Sequence, residues 1–157
     1  MSRPFAIVCL AASVSLFAPL ALDAQPSDRD AVLATIKQMF DGMTEGDTAK
    51  MANTLDDGAR LVQTFTRDGV PRTRQIMMSE FLARIANHSG ETLLERYWDP
   101  EVRIHDNLAT VWMSYNFYVG SRLDHCGEDA FQLARTPGGW KIIAIADTQR
   151  SDCVERP

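Results

Sequence analysis

The sequence predicts an α+β domain with helices on one face of a curved antiparallel sheet. Three observations point there. Apolar side chains recur at helical spacing in the first stretch after residue 24, the last third alternates in strand fashion between turn pairs, and no internal repeat or low-complexity linker divides the chain. With 157 residues, 45% hydrophobic and 24% charged, the composition is that of one globular domain. Nine glycines and seven prolines exclude a collagen-like or disordered chain. The net charge of −5 has the wrong sign for a nucleic-acid binder, whose affinity rests on neutralising phosphates.

Residues 1–24 read as a secretory signal peptide. Arg3 supplies the positive start, Phe5 to Leu16 is apolar apart from two serines, Pro19 breaks the run, and Ala24 offers a small residue before Gln25. The rival is a transmembrane anchor over Phe5 to Leu22. Two serines, a proline and Asp23 make it a poor one, and no basic stop-transfer cluster follows. Cys9 lies too early for a lipidation site. Residues 25–157 then form one exported domain, periplasmic or secreted, with no membrane contact after cleavage.

Within that domain Ser27 caps a helix whose first turn carries Asp28 and Asp30, where the dipole favours acids. Val32, Ile36, Met39, Phe40 and Met43 form its buried stripe to about Thr44. Gly46-Asp47 ends it and caps a shorter helix carrying Met51 and Leu55, which Asp56-Asp57-Gly58 stops. Arg60 to Thr66 and Val70 to Ile76 are strands around an Arg67-Asp68-Gly69 turn, and Pro71 assigns the second to a sheet edge. Ser79 caps a third helix with Phe81, Leu82 and Ile85 inward. Thr92 to Trp98 and Glu101 to His105 are two strands, or one broken at Asp99-Pro100. Leu108 to Val119, Gly127 to Arg135 and Trp140 to Thr148 complete a meander.

Signal cleavage removes Cys9 and leaves Cys126 and Cys153. An even pair in an exported chain reads as one disulfide, closing a loop of about 27 residues and contributing on the order of 3 kcal/mol; the alternative is two free thiols. His125 beside Cys126 offers two metal ligands, but no CxxC or HxxxH spacing completes a shell, so no metal is expected. No GxSxG, HExxH, Walker or dinucleotide motif occurs either, and no cofactor is indicated.

Three segments carry a family resemblance. They are the helix, Gly46-Asp47, short helix, Asp56-Asp57-Gly58-Ala59 series; Tyr97-Trp98-Asp99-Pro100-Glu101-Val102-Arg103-Ile104 leading into Leu108-Ala109-Thr110-Val111-Trp112; and His125-Cys126-Gly127-Glu128-Asp129-Ala130-Phe131-Gln132-Leu133 followed by Gly139-Trp140-Lys141-Ile142 and Cys153. Over nearly all of residues 25–157 the chain resembles the nuclear transport factor 2-like superfamily, in its SnoaL-like branch of exported lumazine-binding-type proteins. The resemblance implies a cystatin-like cone, a bent sheet wrapped around three helices with a pocket at one end. It is nearly silent on function, because the superfamily hosts isomerases, cyclases, an epoxide hydrolase and plain binding domains, many dimeric through the outer sheet face.

Strand parity sorts the candidates. Ala109, Val111, Met113, Tyr115, Phe117 and Val119 form the apolar phase of the longest strand, assigned to the concave side. Val111, Met113, Tyr115, Phe117, Phe131 and His125 are the candidate ligand contacts. Trp112 and Tyr118 on the other phase suit a homodimer surface, or are simply exposed aromatics. The last hairpin is ambiguous. If Arg135 pairs with Trp140, Asp129, Phe131 and Leu133 share a face with Ile142, Ala144 and Ala146. A loop one residue longer or shorter puts Asp129 with Ile143, Ile145 and Asp147, where two facing carboxylates would raise one pKa into the range of a general base.

Three readings follow. The first is an exported domain binding a small, mainly apolar or aromatic molecule. The second is a cofactor-independent isomerase, cyclase or hydrolase, with Asp129 or Asp147 as base and Tyr115 as donor. The third is an interaction dimer whose cavity its own side chains fill. What lines the cavity decides among them.

Overall fold

The computed structural model describes residues 27–155, so the expected signal peptide lies outside the described residues. Helix α1 (Asp28–Glu45) starts where the Ser27 side chain accepts from the Asp30 amide and ends at Gly46, whose φ of 70° is the left-handed conformation glycine adopts without strain. Its inward stripe is the expected one, Val32, Ile36, Met39, Phe40 and Met43. Helix α2 (Thr48–Ala52) is capped by the Asp47 carboxylate on the Lys50 amide and seats Met51 against Gly42, where a Cβ would meet Met51 Cγ at 2.8 Å.

The strands are β1 (Leu55–Arg67), β2 (Val70–Met77), β3 (Leu93–His105), β4 (Leu108–Val119), β5 (Arg122–Thr136) and β6 (Gly139–Gln149), with α3 (Met78–Ala86) between β2 and β3. They form one sheet in the order β2-β1-β6-β5-β4-β3, so Pro71 does sit on an edge strand. Asp68 and Gly69, both at positive φ, make the tight turn between β1 and β2. The β1–β6 pair is parallel; every other pair is antiparallel.

Several local expectations need correction. Asp56-Asp57-Gly58 does not stop α2 but lies in β1, as extra residues opposite Ile143 in β6. Ser79 lies inside α3, whose cap is Met77 without any side-chain hydrogen bond. Strand β5 begins at Arg122, because Asp124 is accommodated as a bulge between the Phe117↔His125 and Tyr118↔Leu123 pairs. Strand β3 is continuous, with Asp99-Pro100 absorbed as a similar irregularity.

The core lies between the helices and the concave sheet face. Its centre is Val32, Ile36, Met51, Val111, Met113, Leu133 and Ile142, each at most 1% exposed. A disulfide joins Cys126 to Cys153 (Cα–Cα 5.8 Å) and pins the C-terminal segment beside the start of β5. On the other phase of β4, Trp112 is half exposed as expected, but Tyr118 is buried under Arg96, whose guanidinium lies 5.1 Å from its ring. The two aromatics therefore do not form one exposed patch. Among the described residues no helix is long and apolar enough to cross a membrane.

Candidate functional site

Register decides which side chains meet. Arg135 does pair with Trp140, yet Leu133 faces Ile142 while Gln132 faces Ala144, so β6 carries one extra residue, Ile143. That bulge reverses the side-chain phase beyond it. Phe131 comes opposite Ile145 and Asp129 opposite Asp147. Neither loop length considered from the sequence is responsible; a bulge within the strand produces the facing carboxylates.

The concave face is then layered. Phe131, Ile145 and Leu61 form an apolar floor, with Asp129, Asp147 and Gln63 above it. Tyr115, Gly127 and Phe117 with His125 continue toward the mouth. These groups enclose a cavity of about 100 Å³, with Met39 and Phe40 of α1 and Phe81 of α3 as its helical wall. Of the residues singled out from the sequence, Tyr115, Phe117, His125, Asp129, Phe131 and Asp147 line it. Val111 and Met113 do not; both are core residues below it.

The sequence reading missed three polar members, Gln63, Glu95 and Gln149. Glu95 lies opposite Phe117 and shares its strand phase with Leu93 and Tyr97, which was the available signal. Leu94 and Trp98 on the other phase obscured it.

Each carboxyl has a distinct environment. Asp129 is 4% exposed, and burial pushes its pKa up to about 7; a hydrogen bond from Glu95 works against that rise, while the charges of Asp147 and Glu128 add to it. Glu95 is held well above the usual carboxylate range, first by burial and then by the Asp129 charge, so it keeps its proton and donates it to Asp129. Asp147 is raised by burial but receives amide N–H groups from Gln149 (3.2 Å) and Gln63, which favour its anion. Arg74 in turn holds Gln63: its Nε donates to Oε1 at 3.0 Å and its Nη2 donates to the same oxygen, leaving the amide N–H₂ for Asp147. Asp129 Oδ2 and Asp147 Oδ1 are buried with no hydrogen-bond partner among the described residues.

Tyr115 is positioned by an absence. A Cβ on Gly127 would lie 1.8 Å from the Thr148 carbonyl oxygen, so only glycine lets β5 and β6 close here. The Tyr115 hydroxyl donates to that same carbonyl at 2.9 Å, so its proton is engaged within the chain and burial pushes its pKa upward. His125 stacks on Phe117 (ring centroids 4.8 Å apart) with Nδ1 3.0 Å from the Asp124 carboxylate, leaving its other edge beside the cavity. Among the described residues no His, Cys, Asp and Glu side chains are grouped to hold a metal ion.

A family model described as putative lumazine-binding matches residues 27–146. No curated protein matches the chain. Solved structures share the fold. A protein of unknown function from Shewanella baltica superposes with a TM-score of 0.62 at 13% identity, covering 80% of this chain and 95% of its own. A cystatin-like protein from Novosphingobium aromaticivorans gives 0.65 at 12% identity, over 80% and 84% of the two chains. A protein from Streptomyces avermitilis, described as a putative dehydratase, gives 0.60 at 16% identity, over 79% and 97%. All three carry the nuclear transport factor 2-like description, and at such identities the likeness is one of fold.

Proposed function

The chain belongs to the putative lumazine-binding family, and from that premise we propose that its cavity binds a small, ring-bearing, hydrogen-bond-donating molecule and moves a proton on it. One observation carries this reading: Glu95, Asp129 and Asp147, from three different strands, converge on one cavity whose other walls include Phe40, Phe81, Phe117 and Phe131. A wholly apolar ligand would leave the bare oxygens Asp129 Oδ2 and Asp147 Oδ1 unsatisfied, at about 1–3 kcal/mol for each buried group left unpaired. A ring with N–H or O–H groups on one edge satisfies them, and lumazine, the ligand in the family description, is a flat ring of that kind.

The chemistry suited to the cluster is acid–base transfer. Asp129 as carboxylate takes a proton from a substrate C–H, while Glu95 as carboxylic acid gives its proton to a substrate oxygen. In a dehydration that oxygen leaves as water; in an isomerisation it becomes an enol that collapses at another carbon. Asp129 then holds the extra proton and Glu95 lacks one, and their mutual hydrogen bond returns it. Burial raises Asp147 while amides from Gln149 and Gln63 favour its anion, and in that form its charge helps keep Asp129 basic. Tyr115 orders the wall, since its proton is already given to Thr148. The disulfide supports an exported setting.

A second reading, binding without turnover, draws on the cavity volume of about 100 Å³, room for about three waters or one end of a ligand. The test is NMR titration with small phenols and cyclic amides against matched hydrocarbons, plus deuterium exchange into cyclic β-hydroxy ketones in D₂O. Donor-bearing rings should bind and hydrocarbons should not, and exchange should disappear in Asp129→Asn. Binding without exchange would leave the second reading, and binding by neither class would refute both.

A further inference from the structure

We propose that the molecule entering this cavity carries an oxyanion, a carboxylate or phosphate, which is received outside the mouth by the concave face of the β1–β2 hairpin. The inference rests on the small-molecule reading above and says what kind of molecule it is.

Three observations support it. The cavity holds only a few atoms, so a ligand must continue outward. Gln149 lines the cavity and pairs with Phe65 of β1, so the surface next to the mouth on the cavity side is that of the β1–β2 hairpin.

The second is placement. Directly paired residues on neighbouring strands project to the same face, and every second residue repeats it. Gln63 lines the cavity and pairs with Arg74; Phe65, two residues on, pairs with Arg72; Arg67 follows at the end of β1. The cavity-side face of this hairpin thus carries Arg67, Arg72 and Arg74 and no acid.

The third is charge. In a chain of net charge −5 these arginines are exposed, and none takes part in the ion pairs among the described residues. Arg74 spends its bonds on the neutral Gln63 amide and Arg67 lies over the Phe65 ring at 5.5 Å, so the positive charge of the ledge is uncompensated. An oxyanion is the group that a planar guanidinium binds best, through paired N–H donors. Arg72 pairs with Phe65 and Phe65 with Gln149, two residues beyond Asp147, so anion and reacting head should be separated by at least roughly 10 Å, two strand spacings.

The experiment uses the disulfide-bonded chain and matched probes: 4-hydroxyphenyl alkanoates of increasing chain length, their primary amides, and the corresponding alkyl phosphates. Affinity is read by NMR or calorimetry for the wild type and for the double variant Arg67→Gln, Arg72→Gln, which leaves Arg74 on Gln63. The anionic probes should bind about tenfold more tightly than the amides, with an optimum chain length and loss of the advantage at high salt. The double variant should abolish the difference while still binding the amides. The carboxylate and phosphate arms show which oxyanion is preferred. Equal affinity of anions and amides, or an anion preference that survives the double substitution, overturns the inference and leaves the small-molecule reading intact. No binding by any probe overturns both.

Discussion

Replacing Asp129 with Asn should stabilise this protein at pH 8 and have little effect near pH 4. The folded-state carboxyl titrates at about 7 against 3.8 for an unperturbed one. Below pH 3.8 the folded and unfolded chains both hold the proton, and the contribution to stability is full. As pH rises the unfolded chain releases the proton first, so stability falls until the folded carboxyl also ionises near 7. At about 1.4 kcal/mol per tenfold change, the loss totals about 4 kcal/mol, of which about 3 falls between pH 5 and pH 8. Asparagine keeps the shape without the charge, so the variant should not show that loss and should melt about 10 °C above the wild type at pH 8. The gain is shared with neighbours, because removing the Asp129 charge also relieves the charge repulsion that raises Glu95. Urea unfolding at pH 5 and pH 8 with the disulfide intact measures it. Parallel wild-type and variant stabilities across that range would refute the assignment of Asp129 as the titrating group, and a variant weaker at pH 8 would make it an ordinary structural anion.

Three other outcomes are expected. Gly127→Ala places a methyl 1.8 Å from the Thr148 carbonyl oxygen, so it should cost at least about 3 kcal/mol, beyond ordinary core overpacking; a variant with an unchanged urea midpoint would show that β5 and β6 do not approach so closely. Changing Cys126 and Cys153 together to Ser, or reducing the wild type, should lower stability by on the order of 3 kcal/mol for this separation of 27 residues, and equal midpoints with and without reductant would contradict the bridge. Glu95→Leu removes the hydrogen bond that works against the rise at Asp129, so the Asp129 carboxyl carbon, followed by NMR, should titrate above about 7; an unmoved titration would place Glu95 outside the cluster, and a downward move would make it a repelling anion instead of a donor.

The parts of the fold readable from sequence are those set by local chemistry. The Ser27 cap, the stripe from Val32 to Met43, the Gly46 stop and the Asp68-Gly69 turn all depend on residues within a few positions of one another. The errors lie where the outcome depends on a partner strand. Asp56-Asp57-Gly58 has the composition of a helix stop, yet pairing of β1 with β6 draws it into a strand irregularity. Tyr118 alternates with Trp112 as an outer-face residue but is covered by Arg96 from β3. In the site, Tyr115, Phe117 and Phe131 followed from alternation, because an apolar phase next to a core faces inward. Glu95 did not, because a carboxylate turned inward opposes the hydrophobic pattern and is explained only by Asp129 across the cavity.

The facing pair Asp129 and Asp147 depends on one residue far from either. With Arg135 opposite Trp140 and no bulge, unbroken antiparallel register would place Asp147 opposite Glu128, whose side chain accepts from Ser114 on the phase away from the cavity. Asp129 would then face Ala146, and the Asp147 charge that adds to the rise from burial would be turned away from it. Ile143 supplies the extra residue, allowing Ile142 and Ile145 both to enter the core (0% and 3% exposed) and bringing Asp147 inward behind them. The same residue stands opposite the irregular Asp56–Ala59 segment of β1, so both neighbours of β6 adjust to it. A bulge flanked on both sides costs ladder hydrogen bonds in two strand pairs, which packing two isoleucines into the core offsets. Stability alone does not require the acid that arrives with them: Asp147 ends up 9% exposed, with one bare oxygen and a carboxyl that burial raises. Two opposed carboxyls in an apolar cone are an energetic cost, one that the donor-bearing ligand proposed above would remove.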